Sequence, residues 1–355
     1  MSTTDIQLTS ETGSIAVTLR PLGATIQRID FGGRDLVLGY DSSADQAECT
    51  VHPYFGTVGR VCNRIAGGAF SLAGNQFSLV CNNGPNALHG GPKGFDSKVW
   101  SLREQTQSSV VFECKSADGE EGFPLPLIAS VSYTLNGNDL IIDYEAHIDE
   151  ASLNGDEVMQ DTIANLTTHS YFNLSGLDNP SILDHIVHFP NSLGHMELNS
   201  VQIPTGTIIK PDELASMDFT SEPKTFGRDI TQVQEFKGYD HFYVVKDIDV
   251  ITADTSKKQE LVLAATVKSP ESGIKMEMLT DAIGFQLYTA NFLESTIPTK
   301  STHPKGTYGQ HAGFCLETSA PPDAINSPNE KVRSTVIIKR GQKWTQKTIY
   351  RFSKE

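Results

Sequence analysis

No apolar run in this 355-residue chain approaches the roughly 18 residues that a membrane-spanning helix needs. The first twenty residues also lack the basic-then-apolar pattern of a secretory leader. Both absences point to a protein that works in the cytoplasm, without a membrane. Positive charge is in short supply: 28 Lys and Arg stand against 43 Asp and Glu, a net −15. Such a surface repels phosphate backbones and anionic lipid, which argues against nucleic acid as a partner. Cysteine is sparse and odd in number. Cys49, Cys62, Cys81, Cys114 and Cys315 show no C-x-x-C pair and no dense spacing, so reduced thiols are expected rather than zinc or a disulfide framework. The N-x-[ST] matches at Asn165 and Asn173 have no meaning as glycosylation acceptors in a chain without a leader. The phosphate-cradling G-x-x-x-x-G-K-[ST] loop, the dinucleotide G-x-G-x-x-G turn and the G-x-S-x-G serine elbow are all missing.

Helical periodicity is missing too. The best helix candidates are short, at PDELASM after Pro211 and near ITQVQEF. What is present is period-two alternation broken by turn signals. IQLTSETGSIAVTLR, VSYTLNGNDLIIDYEAHI, LVLAATVKSPESGIKMEML and STVIIKRGQKWTQKTIYRF each read as an antiparallel hairpin. Gly and Pro are scattered without a linker-like cluster, and no repeat of fixed period appears. The expected fold is all-β, a large antiparallel β-sandwich forming a single domain over residues 1–355.

Polar residues cluster where strand patterning does not require them. In NNGPNALHGGPKGFDSKVW (82–100), His89 precedes two glycines that leave room for a close approach. Phe95 and Trp100 in the same stretch read as core anchors. GRVCNRI (59–65) carries Arg60 and Arg64, and arginine holds hydroxyls and carboxylates through a rigid donor fork. In NLTTHSYFNLSG (165–176), an extended backbone puts His169 and Tyr171 on one face. In GFCLETS, Cys315, Glu317 and Ser319 share a face opposite Phe314, Leu316 and Thr318. A glutamate inside so apolar a strand must be paired, neutral or useful. Asp240-His241 in GYDHFY reads equally well as a turn pair. His185 and His188 would face opposite sides of a strand and lack an accompanying ligand shell, which argues against metal there.

Taken together, GRVCNRIAGGAF, NALHGGPKGFDSKVW, DGEEGFP, NLTTHSYFNLSG, GYDHFY, GFQLYTANFL and FCLETSAPPDAIN resemble the aldose 1-epimerase family, in family order over nearly the whole chain. The resemblance implies a galactose-mutarotase-like β-supersandwich that needs no cofactor or metal and interconverts the anomers of free aldohexoses such as galactose and glucose. It implies a monosaccharide partner, with a monomer or homodimer as the working form. Carried over by position, it makes Glu317 the catalytic base and His169 the catalytic acid. Asn63, Arg64, His89, Asp240 and Gln286 become sugar ligands, with Ser170 and Tyr171 in the same binding segment. This chemistry calls for an ionised Glu317 and a protonated His169, with Arg64 and His89 positioning the sugar. The chain departs from the family pattern at Thr168, Ser319 and Ala290, where Asn, Gln and Gly are common, and these changes bear on sugar preference. Two other readings remain open at this point. Glu317 and Asp240 could form a glycosidase carboxylate pair, or the fold could bind sugar without catalysis.

Overall fold

Alternation turns into strands wherever the chain can double back. Leu127–Asn136 buries every second residue, and the two-residue link at Gly137 and Asn138, with Gly137 at φ 58°, returns the chain as Asp139–Ile148 in residue-for-residue antiparallel register. Ile6–Thr9 pairs antiparallel with Ile15–Arg20, and Val262–Lys268 with Ile274–Thr280 around a bulge between Leu263 and Ala265, so three of the expected hairpins form. The computed structural model describes residues 4–48, 55–153, 159–233, 236–248, 260–293 and 295–355. Cys49 lies outside them; the thiols of Cys62, Cys81, Cys114 and Cys315 are free.

The fourth hairpin does not form. The chain turns between Lys339 and Gln342 as its Arg340-Gly341 signal suggests, but the flanking strands separate. Ile337–Lys339 pairs with Asp161–Ile163, while Lys343–Lys354 inserts between Asp139–Ile148 and Ile274–Thr280. Alternation marks a half-buried strand but not its partner. PDELASM gives only a 3-10 turn at Ala215–Met217, and Ile230–Gln232 another; among the described residues, short α-helices occur instead at Ser43–Glu48 and Glu330–Ser334.

Among the described residues, the named strands pair antiparallel throughout. The largest sheet has nine strands, with Lys343–Lys354 at its centre. A five-stranded sheet runs in the order Pro204–Ile209, Gly194–Leu198, Asp240–Val244, Gly284–Tyr288, Cys315–Ser319. The two sheets face each other across the main core. Tyr350 donates to the Leu316 carbonyl at 2.9 Å, Gln346 Nε2 donates to the Thr318 carbonyl at 2.9 Å, and the hydroxyls of Thr318 and Thr348 meet at 2.6 Å. Leu316 and Thr318 therefore point into the sandwich. Cys315 and Glu317, one residue out of phase, point through the other face of the five-stranded sheet. That outer face carries the site.

Candidate active site

Three adjacent strands supply the floor. Glu317 lies directly opposite Gln286, and Asp240 directly opposite Tyr288 on the same central strand. Register alone thus brings a carboxylate, a carboxamide and a second carboxylate onto one patch. Gln286 Nε2 donates to Asp240 Oδ1 at 2.6 Å, and its Oε1 is buried with no hydrogen-bond partner. A buried acceptor left unsatisfied is costly, and in a cleft it is a place for a ligand hydroxyl.

The walls come from loops. His169 follows the short strand Thr167–Thr168, its backbone N–H held by the Gly56 carbonyl at 3.0 Å. Its ring stacks on Tyr171 with centroids 4.9 Å apart, Nδ1 lies 3.5 Å from Cys315 Sγ, and Nε2 lies 3.5 Å from Glu317 Oε1. Arg64 pairs with Leu88 across a two-residue ladder. Its guanidinium donates to Asn83 Oδ1 at 3.0 Å and to Gln202 Oε1 at 2.6 Å. Asn63, at φ 58°, sends its N–H to His89 Nδ1 at 3.2 Å. That bond leaves the His89 proton on Nε2.

The glycines after His89 have a plain reason. A Cβ on Gly90 would collide with the Gly59 carbonyl oxygen, so the close approach expected there is made by the protein's own backbone. Phe95 and Trp100 are buried edge to face, as core.

Glu317, His169, Asn63, Arg64, His89, Tyr171, Asp240 and Gln286 all line one open cleft of about 350 Å³, in the size range of small-molecule sites. Ser170 stands apart from this group. It lies on the alternate side of its segment, is buried, and meets the Thr168 hydroxyl at 3.2 Å instead of lining the cleft. Arg60 is also elsewhere, donating to the Pro124 and Leu125 carbonyls at 2.8 and 2.9 Å. Asn83, Gln202, Tyr288 and Phe292 line the cleft without having stood out in the sequence. Each was hidden because loop partners and positions along a strand do not show in local pattern.

Burial also bears on charge. Glu317 is 3% exposed and His169 5%. Burial pushes the Glu317 carboxyl well above its usual range, aided by Asp240 and opposed by Arg64. Burial holds the His169 imidazole down to about 4, with Asp240 opposing. Burial therefore favours a neutral acid beside a neutral imidazole over an ion pair, because desolvation outweighs the nearby charges. Either form carries the same single proton. His89, His169 and Glu317 bring ligand atoms within 4.8 Å of one another, a set with the composition of a metal triad. The Asn63 N–H fills His89 Nδ1 and keeps Nε2 protonated, so His89 suits a donor role better than ligation. His185 and His188 are engaged separately, by the Leu174 N–H and the Thr220 carbonyl.

The sequence model of the family described as aldose 1-epimerase matches residues 5–351. The chain belongs to the aldose 1-epimerase family. Among curated members, it is 38% identical to galactose mutarotase of Bos taurus over 343 residues, covering 93% of this chain and 89% of that one. It is 31% identical to aldose 1-epimerase of Escherichia coli over 360 residues, covering 96% and 93%. Among solved structures, an aldose epimerase homologue from C. elegans superposes with a TM-score of 0.82 at 25% identity over 99% of both chains. These matches make the β-supersandwich and the enzyme class those of the aldose 1-epimerases. Among the described residues, no helix is long and apolar enough to cross a membrane.

Proposed function

We propose that this aldose 1-epimerase interconverts the α and β anomers of free aldohexoses such as galactose and glucose, with Glu317 as base and His169 as acid. The observation that carries this reading is a buried carboxyl and a buried imidazole 3.5 Å apart in a cleft lined by hydrogen-bonding side chains. With the shared proton moved from Glu317 to His169 Nε2 across their 3.5 Å contact, Glu317 takes the proton of the anomeric hydroxyl. The electron pair becomes the aldehyde C=O, the bond from C1 to the ring oxygen breaks, and His169 Nε2 protonates that oxygen. The aldehyde rotates, and the same two transfers run in reverse on its other face. The pair starts and ends with one proton, so each turnover balances without a co-reactant. Acid and base catalysis at this level are each worth about 10²- to 10⁴-fold.

Arg64 and His89 Nε2–H then donate toward oxygens that gain charge as the ring opens. Asp240 suits binding better than glycosidase chemistry, since both its oxygens already accept from carboxamides, Gln286 at 2.6 Å and Gln202 at 2.9 Å. The free thiols of the four described cysteines suit the reducing cytoplasm as the place of action. Polarimetry of freshly dissolved α-galactose and α-glucose tests the function directly. Glu317→Gln should lower kcat by at least about 10²-fold with the fold intact; full activity in that variant removes the base assignment.

A further inference from the structure

Gln202 occupies the link between Gly194–Leu198 and Pro204–Ile209, with its backbone at φ 61°. A glutamine held in the left-handed region signals a conformation fixed by its surroundings. Here Asn199 Oδ1 accepts the N–H groups of Val201 and Ile203 at 3.0 Å each, and Asn86 Nδ2 donates to the Val201 carbonyl at 2.8 Å. The tip is thus tied to the segment that carries His89, and its side chain is aimed. Gln202 Oε1 accepts from Arg64 at 2.6 Å, and Nε2 donates to Asp240 Oδ2 at 2.9 Å. One carboxamide bridges a cation and an anion that would otherwise meet the ligand separately.

The position of this bridge follows from strand order. Glu317, Gln286 and Asp240 stand on three successive strands, and Gln202 caps the row beyond Asp240. Neighbouring strands are about 4.8 Å apart, which sets the Asp240 end roughly 10 Å from the strand of Glu317. A pyranose whose C1 lies at Glu317 turns its far hydroxyls, that on C4 foremost, toward Asp240, Arg64 and Gln202. A carboxamide offers that hydroxyl both a donor and an acceptor, so it can distinguish axial from equatorial orientation.

We propose that Gln202 is a specificity-determining residue that reads the C4 hydroxyl of the bound aldose. It rests on the acid–base reading above, which puts C1 at Glu317. The test uses Gln202→Met, which keeps side-chain length without hydrogen bonds, and Gln202→Glu, which keeps an acceptor for Arg64 and loses the donor to Asp240. Steady-state polarimetry gives kcat and KM on α-galactose, α-glucose and 2-deoxyglucose, with urea midpoints confirming that both variants fold. Gln202→Met should change the galactose-to-glucose ratio of kcat/KM about fivefold or more, chiefly through KM, and leave the glucose-to-2-deoxyglucose ratio within about twofold. Gln202→Glu should also change the galactose-to-glucose ratio. Equal weakening on all three sugars, no change on any, or a change confined to 2-deoxyglucose overturns the proposal. Failure of the acid–base reading shows separately, as an undiminished kcat in Glu317→Gln on any one sugar.

Discussion

Glu317 and His169 work as a unit that holds one proton, and the groups around them decide the pH range over which it does so. Acid adds a second proton to His169, which burial holds down to about 4. Alkali removes the proton that burial and Asp240 keep on Glu317 well above the usual carboxylate range. The kcat/KM profile should therefore be bell-shaped, with its acid limb near pH 4 and its alkaline limb above the ordinary carboxylate region. Asp240 raises both groups, Arg64 lowers Glu317, and the buried Cys315 thiol beside the imidazole stays protonated. Asp240→Asn should then move both limbs to lower pH. An alkaline limb that stays in place or rises would contradict this electrostatic account. The sequence made most of the cleft residues legible through seven ordered motifs, but not their charge. Motifs reveal which ionisable groups are neighbours; the depth of burial, which decides their protonation here, arises only when the sheets close.

At the scale of single elements, the three local hairpins were legible because each carries its turn chemistry and its alternation together. The C-terminal pair of strands was misread as a hairpin because both signals were present while the partners were distant in sequence. The Gly90 turn is a case where sequence hinted at a close approach without naming its object. Gly90 has φ 84° and abuts the Gly59 carbonyl, whereas Gly137 has φ 58° with open space around its missing Cβ. Gly137→Ala should cost about 1 kcal/mol, from backbone conformation alone. Gly90→Ala adds a steric collision and should cost roughly 2–4 kcal/mol. Urea unfolding of the two variants separates the contributions; equal losses would mean that the contact is relieved by a small shift.

Across the whole molecule, buried imidazoles tie stability to pH. Burial holds His169, His195 and His303 down to about 4 and His185 down to about 3. In the unfolded chain they titrate near 6.5. As pH falls from about 6.5 toward 4, the unfolded chain takes up protons that the native state refuses, so stability falls. Asp96, pushed up to about 6 by burial, acts in the opposite sense: its stabilising contribution is full below about 3.8 and is lost as pH rises through 6. Burial also lowers His241, to about 4, and His311, while it raises Asp281, Asp323 and Glu317, so six imidazoles against four carboxyls set the net direction. Urea midpoints at pH 7 and pH 5 should differ in favour of pH 7, and a higher midpoint at pH 5 would reverse the assignment.

Lys343–Lys354, the strand at the heart of the nine-stranded sheet, is also the last of the described strands to be synthesised. Until it leaves the ribosome, the edges of Asp139–Ile148 and Ile274–Thr280 stay unzipped, and the strand bearing Glu317 has no backing. A nascent chain stalled before Lys343 should bind no sugar and should recruit holdase chaperones to the open seam. The cleft is thereby silent until Lys343–Lys354 has been made and has closed the seam.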